Sequence, residues 1–181
     1  MEKVEQSYPW YQLVDGTSLE QGDILEGCPV FSPAPELAHD FDKLGEPPPE
    51  FDYKHLDVIV MTQSCDLEND KAEEVLLCPV WTQVDYNEGQ LSKAENWELA
   101  RKGRFPAYHV LNECLLPDFT RDHRIVAFRS VYTMPLAFLR ERARAAGSRV
   151  RLLPPYREHL AQAFARFFMR IGLPVDIPKF K

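Results

Sequence analysis

Two apolar runs constrain this chain most: Asp57-Val58-Ile59-Val60-Met61-Thr62 and Glu74-Val75-Leu76-Leu77-Cys78-Pro79-Val80-Trp81, separated by a polar stretch over 68–73. Near-continuous, β-branched-rich hydrophobicity without polar alternation marks strands that are buried on both faces. Further strand signals lie at Gly22-Asp23-Ile24-Leu25 and Cys28-Pro29-Val30-Phe31, read as one strand broken at Gly27 and Pro29, at 107–111 and at 124–131. The aromatic segment Tyr8-Pro9-Trp10-Tyr11 is expected to dock on the body of the domain.

Three helices are predicted. Ser92 with Glu95 three residues later is a capping box, and the helix it opens stops at Gly103. Pro135 opens a second helix that Gly147 ends, and Pro155 opens the last, which runs to Gly172. In that helix Tyr156, Leu160, Ala163, Phe164, Phe167 and Ile171 recur at three- and four-residue steps, while His159, Gln162, Arg166 and Arg170 form the opposite, polar stripe. The aromatic side is read as core packing rather than a ligand groove.

These elements predict an α+β chain of 181 residues forming one domain. Residues 1–103 make a strand-rich part with a proline-rich loop over 32–55, and 104–181 add strands and two C-terminal helices on the same core. The N-terminus has no apolar stretch after a basic one, and no apolar run approaches the roughly 20 residues that span a bilayer, so the chain is read as cytoplasmic. Four cysteines, Cys28, Cys65, Cys78 and Cys114, occur without a CxxC pair and are read as reduced thiols.

The net charge of −7 excludes bulk electrostatic coating of nucleic acid. Acids concentrate before Glu98 and arginines after Arg121, however, so a local basic face is allowed. Arg124 and Arg129 on one strand, with Arg157, Arg166 and Arg170 on the last helix, could bind phosphate, RNA or a carboxylate partner. The competing reading makes them solvated positions, several paired with Glu141 or Glu158.

Met61-Thr62-Gln63-Ser64-Cys65-Asp66-Leu67 is the best single candidate for a site, because a cysteine flanked by hydroxyls and an acid lies where a buried strand runs out into a polar loop. A cysteine nucleophile needs a lowered thiol pKa. His109 could supply the base, and Asp118 or Asp122 could orient it. Alternatively Cys65 is a small buried hydrophobe and Asp66 caps a turn, and Asp66 would itself raise a neighbouring thiol pKa. Cys65, Asp66, His109, Cys114 and His123 match no metal-ligand spacing, so no metal and no cofactor is expected. Glycine-rich phosphate loops, Gly-x-Ser-x-Gly elbows and His-Glu-x-x-His motifs are absent.

The order Gly22-Asp23-Ile24-Leu25, Asp57-Val58-Ile59-Val60 and Leu77-Cys78-Pro79-Val80-Trp81-Thr82 resembles the strand words of the PemK/MazF toxin family. That resemblance implies an SH3-like barrel, or a curved antiparallel sheet, elaborated here by C-terminal helices. It also implies a metal-independent endoribonuclease acting through an arginine before the second strand word and a threonine after the third. Thr82 occupies the threonine position; the arginine is missing, and only Lys54 or His55 could replace it. The Gln-Ser-Cys-Asp-Leu word and the C-terminal helix sequence are similar to a group of uncharacterised bacterial proteins. The function expected is a bacterial binding or accessory module of a stress, defence or mobile-element system, with a protein partner, and a homo-oligomer is allowed. A PemK/MazF-like ribonuclease and a cysteine-dependent hydrolase or redox-sensitive protein using Cys65 are the alternatives.

Overall fold

A computed structural model describes residues 8–32, 52–82, 84–85, 91 and 93–169. The strands are β1 (Tyr11–Val14), β2 (Asp23–Ser32), β3 (Asp52–Val60), β4 (Glu74–Thr82), β5 (Tyr108–Leu111), β6 (Arg124–Ala127), β7 (Tyr132–Pro135) and β8 (Arg149–Leu152). The helices are α1 (Ser64–Glu68), α2 (Ala94–Arg101), α3 (Leu136–Ala146) and α4 (Tyr156–Phe168). All eight strands form one antiparallel sheet in the order β1-β8-β2-β3-β4-β6-β5, with β7 paired to β4 off that path.

This is an α+β protein whose sheet is not closed, so the barrel expectation is corrected while the antiparallel sheet stands. The terminal strands β1 and β5 do not pair. They are linked instead by a side chain, the Tyr11 hydroxyl donating to the Asn112 carbonyl at 2.7 Å. No described helix is long and apolar enough to cross a membrane.

Several expected breaks are bulges or boundaries. β2 is one strand of ten residues, not two. Its register with β3 shifts between Leu25 and Cys28, and Gly27 sits at φ 58°, so the glycine is the extra residue of a bulge that the strand survives. β3 begins at Asp52, reaching back into the expected proline-rich loop, of which 33–51 lie outside the described residues. The Gln63-Ser64-Cys65-Asp66 word, expected in a loop, enters the short helix α1. β6 ends at Ala127 and the chain turns before β7, so the expected strand over 124–131 is a strand over its first four residues only. α2 starts after Lys93, and its expected cap Ser92 lies outside the described residues, as does Gly172 beyond α4.

The two apolar runs are covered on both sides. Val58, Val60, Val75 and Leu77 point into one cluster with Leu25, Leu67 of α1, and Leu136, Leu139 and Ala143 of α3. Ile59, Met61, Cys78 and Val80 point the other way, into a cluster with Val126, Phe128, Val150, Leu152 and Leu160, against which Phe164 and Phe167 of α4 pack. Period-2 alternation along each strand separates the sets. α2 covers the outer part of β5 and β6 through Ala100, Ala107, Tyr108, Ile125 and Ala127.

β8 lies between α3 and α4 in the chain, and its insertion between β1 and β2 carries the polypeptide from one face of the sheet to the other. Buried charge holds it there. Asp23, fully buried at the start of β2, accepts from Arg149 Nε at 2.8 Å and from Arg151 Nη2 at 3.0 Å, and also from Arg151 Nε. Arg149 Nη1 donates to the Gly16 carbonyl at 2.8 Å, and Arg151 Nη2 to the Ser18 carbonyl at 3.1 Å. Arg151 also pairs with Glu20, whose other oxygen lies 3.4 Å from Arg157 Nη1 at the start of α4. Gly22, at φ 91°, lets the backbone turn into this cluster, and an added Cβ there would meet Leu152 at 3.1 Å.

Replacing Asp23 leaves the buried Arg149 without a counter-charge and Arg151 with Glu20 alone, a change that costs about 3–5 kcal/mol at comparable sites. Asp23→Ala should therefore lose that much stability in urea unfolding, whereas Glu141→Ala, whose pair with Arg144 is exposed, should lose under about 1 kcal/mol. Equal losses would mean that the cluster does not anchor β8.

Candidate functional site

The Gln63-Ser64-Cys65-Asp66-Leu67 word has mostly structural partners. Thr62 Oγ1 accepts the Leu76 N–H at 2.8 Å, Ser64 Oγ accepts the Gln21 N–H at 3.1 Å, and Leu67 is buried. Cys65 is exposed, and its Sγ lies 3.8 Å from Gln63 Oε1 and from Asp66 Oδ1, both acceptors. The other three cysteines are buried, with burial pushing the Cys28 thiol up and the Cys78 thiol up to about 12. α1 packs on the same face of the sheet as α3, through Leu67. His109 faces the other side: its ring lies 6.4 Å from that of Phe128, which Phe164 of α4 also touches. The sheet therefore stands between Cys65 and His109.

Thr82 is held within its own turn, its hydroxyl donating to Asp85 and accepting the Asp85 N–H at 3.1 Å. Lys54 and His55 are exposed on β3, and His55 Nδ1 lies 3.2 Å from the Gly27 carbonyl. Among the described residues, no group of three or more His, Cys, Asp or Glu side chains could hold a metal ion.

The arginines separate into distinct environments. Arg124 is 1% exposed and points inward, where its Nη1 lies 3.3 Å from Glu26 while Nε and Nη2 reach no hydrogen-bond partner. Its guanidinium stands beside the Tyr11 phenol and offsets part of the upward push that burial gives that group. Arg129 lies beyond the end of β6 and is exposed, so the two arginines do not share a strand face. Arg144 and Arg157 pair with Glu141 and Glu158, as the solvated reading has it. Arg170 lies outside the described residues. A cavity of about 320 Å³ beside the β2 bulge is lined by Glu26, Asp118, Arg121, Arg142 and Arg149, but its arginines are already engaged. Arg121 is bidentate on Glu26, Arg149 is on Asp23, and Arg142 donates to the Glu26 carbonyl.

Arg166 and His109 do come together. They line a cleft of about 480 Å³ between β5 and α4, with Phe105, Pro106, Tyr108, His159 and Gln162. That volume is within the roughly 300–1,000 Å³ of small-molecule sites. Trp10, stacked on Tyr156 at 3.6 Å, and Phe164 against Phe128 at 5.4 Å fix α4 on the sheet. His159, Gln162 and Arg166 follow one another at helical spacing along its inner edge. None of the three has a hydrogen-bond or ion-pair partner among the described residues. Among the described residues no Asp or Glu lines the cleft, although the chain holds 28 acidic residues.

Burial, and second the positive charge of His159, push His109 down to about 4. At neutral pH it is thus an uncharged ring with one donor and one acceptor nitrogen. A general base works best with a pKa near the working pH, so this histidine suits hydrogen bonding better than proton abstraction.

The fold and the cleft define an α+β protein with an open antiparallel sheet and a basic, ring-lined recess between β5 and α4. Comparison of the chain with protein-family models, with curated proteins and with solved structures finds no match. The polar stripe of α4 is legible as a pattern, and His159 belongs to it. No local signal pairs that stripe with Phe105 and His109, because the α3–β8 crossover brings them together.

The depressed His109 value sets a pH dependence. The unfolded chain takes up a proton near 6.5 and the folded chain only near 4, so this stability is present above about 6.5 and is lost as pH falls toward 4. Across that window the wild type should lose up to about 3 kcal/mol that a His109→Phe variant retains, measured by denaturant unfolding at each pH. Parallel curves for the two proteins would contradict the assignment.

Proposed function

We propose that this protein is a binding module that recognises an anionic group in the cleft between β5 and α4. The observation that carries this reading is the lining itself: His159, Gln162 and Arg166 converge on His109 with no carboxylate among them. Arginine and histidine side chains are strong donors to phosphate and carboxylate oxygens. The −7 net charge discourages long polyanions and leaves a local recess as the place for one anionic group. The placement of Cys65 on the other side of the sheet from His109, beside the Asp66 carboxylate, and the engagement of Thr82 by Asp85 favour binding over hydrolysis or RNA cleavage. The strand words shared with the PemK/MazF barrels, carried here by the adjacent strands β2, β3 and β4, support a setting among bacterial stress and defence systems.

Inorganic phosphate is the simplest probe. At fixed ionic strength it should raise the melting temperature of the wild type relative to chloride, because a ligand that binds only the folded state stabilises it. Arg166→Ala and His159→Ala should each abolish most of that increment, and Cys65→Ser should leave it intact. An increment that survives both cleft substitutions would sink the proposal.

A further inference from the structure

Three features of the cleft specify more than a negative charge. Its basic side chains lie along one wall, on α4: His159 and Arg166 are exposed, one helical stripe apart from the core residues, with Gln162 between them. Phe105 and Pro106, from the segment leading into β5, contribute the apolar surface; Phe105 is half-buried, and the Tyr108 ring that backs it at 5.2 Å is buried in the α2 cluster. His109 lies on the strand next to that surface, facing α4 and backed by Phe128. A ligand filling the recess would therefore meet the Arg166 charge on one side, a half-buried aromatic ring on another, and neutral polar groups between them.

We infer that the cleft takes a nucleoside 5′-monophosphate group, its phosphate against His159 and Arg166 and its base against the Phe105 ring. The inference rests on the anion-binding reading above and narrows it to one ligand class. Phosphate oxygens match the guanidinium fork of Arg166, and the His159 imidazole on the same helix stripe is a second donor. Bases stack on aromatic side chains with little dependence on sequence. Gln162 offers both an amide donor and a carbonyl acceptor, and uncharged His109 offers one of each, which suits the mixed donor and acceptor edge of a base or the hydroxyls of a ribose. An acidic peptide would satisfy the charged wall but leave the Phe105 ring unused. An uncharged aromatic compound would do the reverse, leaving Arg166 without a counter-charge.

The depressed His109 value adds support, since it keeps that ring neutral beside Arg166, as a donor and acceptor for uncharged parts of the ligand. No bond is made or broken in this proposal: the ligand is held and released.

The test is calorimetric titration of the full chain with adenosine 5′-monophosphate, adenosine and inorganic phosphate at one ionic strength. The monophosphate should bind about tenfold or more tighter than either part, because both contact types are then made together. Arg166→Ala should weaken it by about tenfold, and Phe105→Leu should weaken the monophosphate several-fold while leaving inorganic phosphate unchanged. Both positions are at least partly exposed, and circular dichroism of each variant confirms that it is folded. If phosphate binds as well as the monophosphate, the nucleotide inference fails and the anion-binding reading stands. If adenosine binds as well as the monophosphate, the phosphate assignment fails. If none binds, both readings fail. A 5′-phosphorylated trinucleotide that binds as well as the mononucleotide, beside a 5′-hydroxyl counterpart that does not, supports the proposal with a strand end as the source. Exclusion of both trinucleotides supports it with a free nucleotide as the source.

Discussion

The carboxylate of Asp23 holds this fold in register. It stands at the first residue of β2, fully buried, and receives guanidinium groups from two positions of β8 far along the chain. Burying three charges is costly, and it succeeds because each is met by an opposite charge or by carbonyl oxygens of the turn at Gly16 and Ser18. Through Arg151 and Glu20 the cluster extends to Arg157, the second residue of α4. The ion cluster thus specifies where β8 enters the sheet and where the last helix begins.

That entry point determines the layering. α3 packs over Val58, Val60 and Leu77, and α4 packs over Ile59, Cys78 and Val80, so the same central strands are covered twice. Only a strand passing between the two helices through the sheet can take the chain from one side to the other, and β8 is that strand. Once α4 is on the second face, its aromatic stripe seals against Phe128 and its polar stripe stands opposite Phe105 and His109. The cleft is a product of topology more than of any one motif. Its chemistry is correspondingly mild: donors, acceptors, ring surface and positive charge, with the buried histidine too weak a base to make proton transfer its natural task.

The central strands were legible in the amino-acid sequence because burial on both faces removes polar residues from every position, and Val58 to Met61 show it. The last two helices were legible from proline starts and three- and four-residue apolar steps. β8 was not. Arg149-Val150-Arg151-Leu152 alternates charge with hydrophobe, the pattern of a strand with one wet face, yet its arginines are buried against Asp23. A rule that treats arginine as solvated fails where distant carboxylates, here Asp23 and Glu20, pair with two of them. The same blindness to long-range pairing hid the cleft: His109 stood out as a candidate base for Cys65, and Arg166 as part of a basic face, but their meeting depends on the crossover. Cys65 attracted attention through its polar neighbours, and these turned out to serve β4 and the Gln21 turn. Barrel closure failed for a related reason. Strand words carry local pairing, whereas closure depends on whether β1 and β5 meet, and a single hydroxyl bond from Tyr11 is what joins them.

Mapping backbone amide shifts by NMR while adding inorganic phosphate locates the binding surface without presuming any residue. The account predicts that perturbed amides cluster over residues 103–109 and 159–166, on the two walls of the cleft. Perturbations centred instead on residues 63–67, or on 53–55 with 82–85, would place recognition at the strand-end word or at the toxin-like positions and would contradict the account.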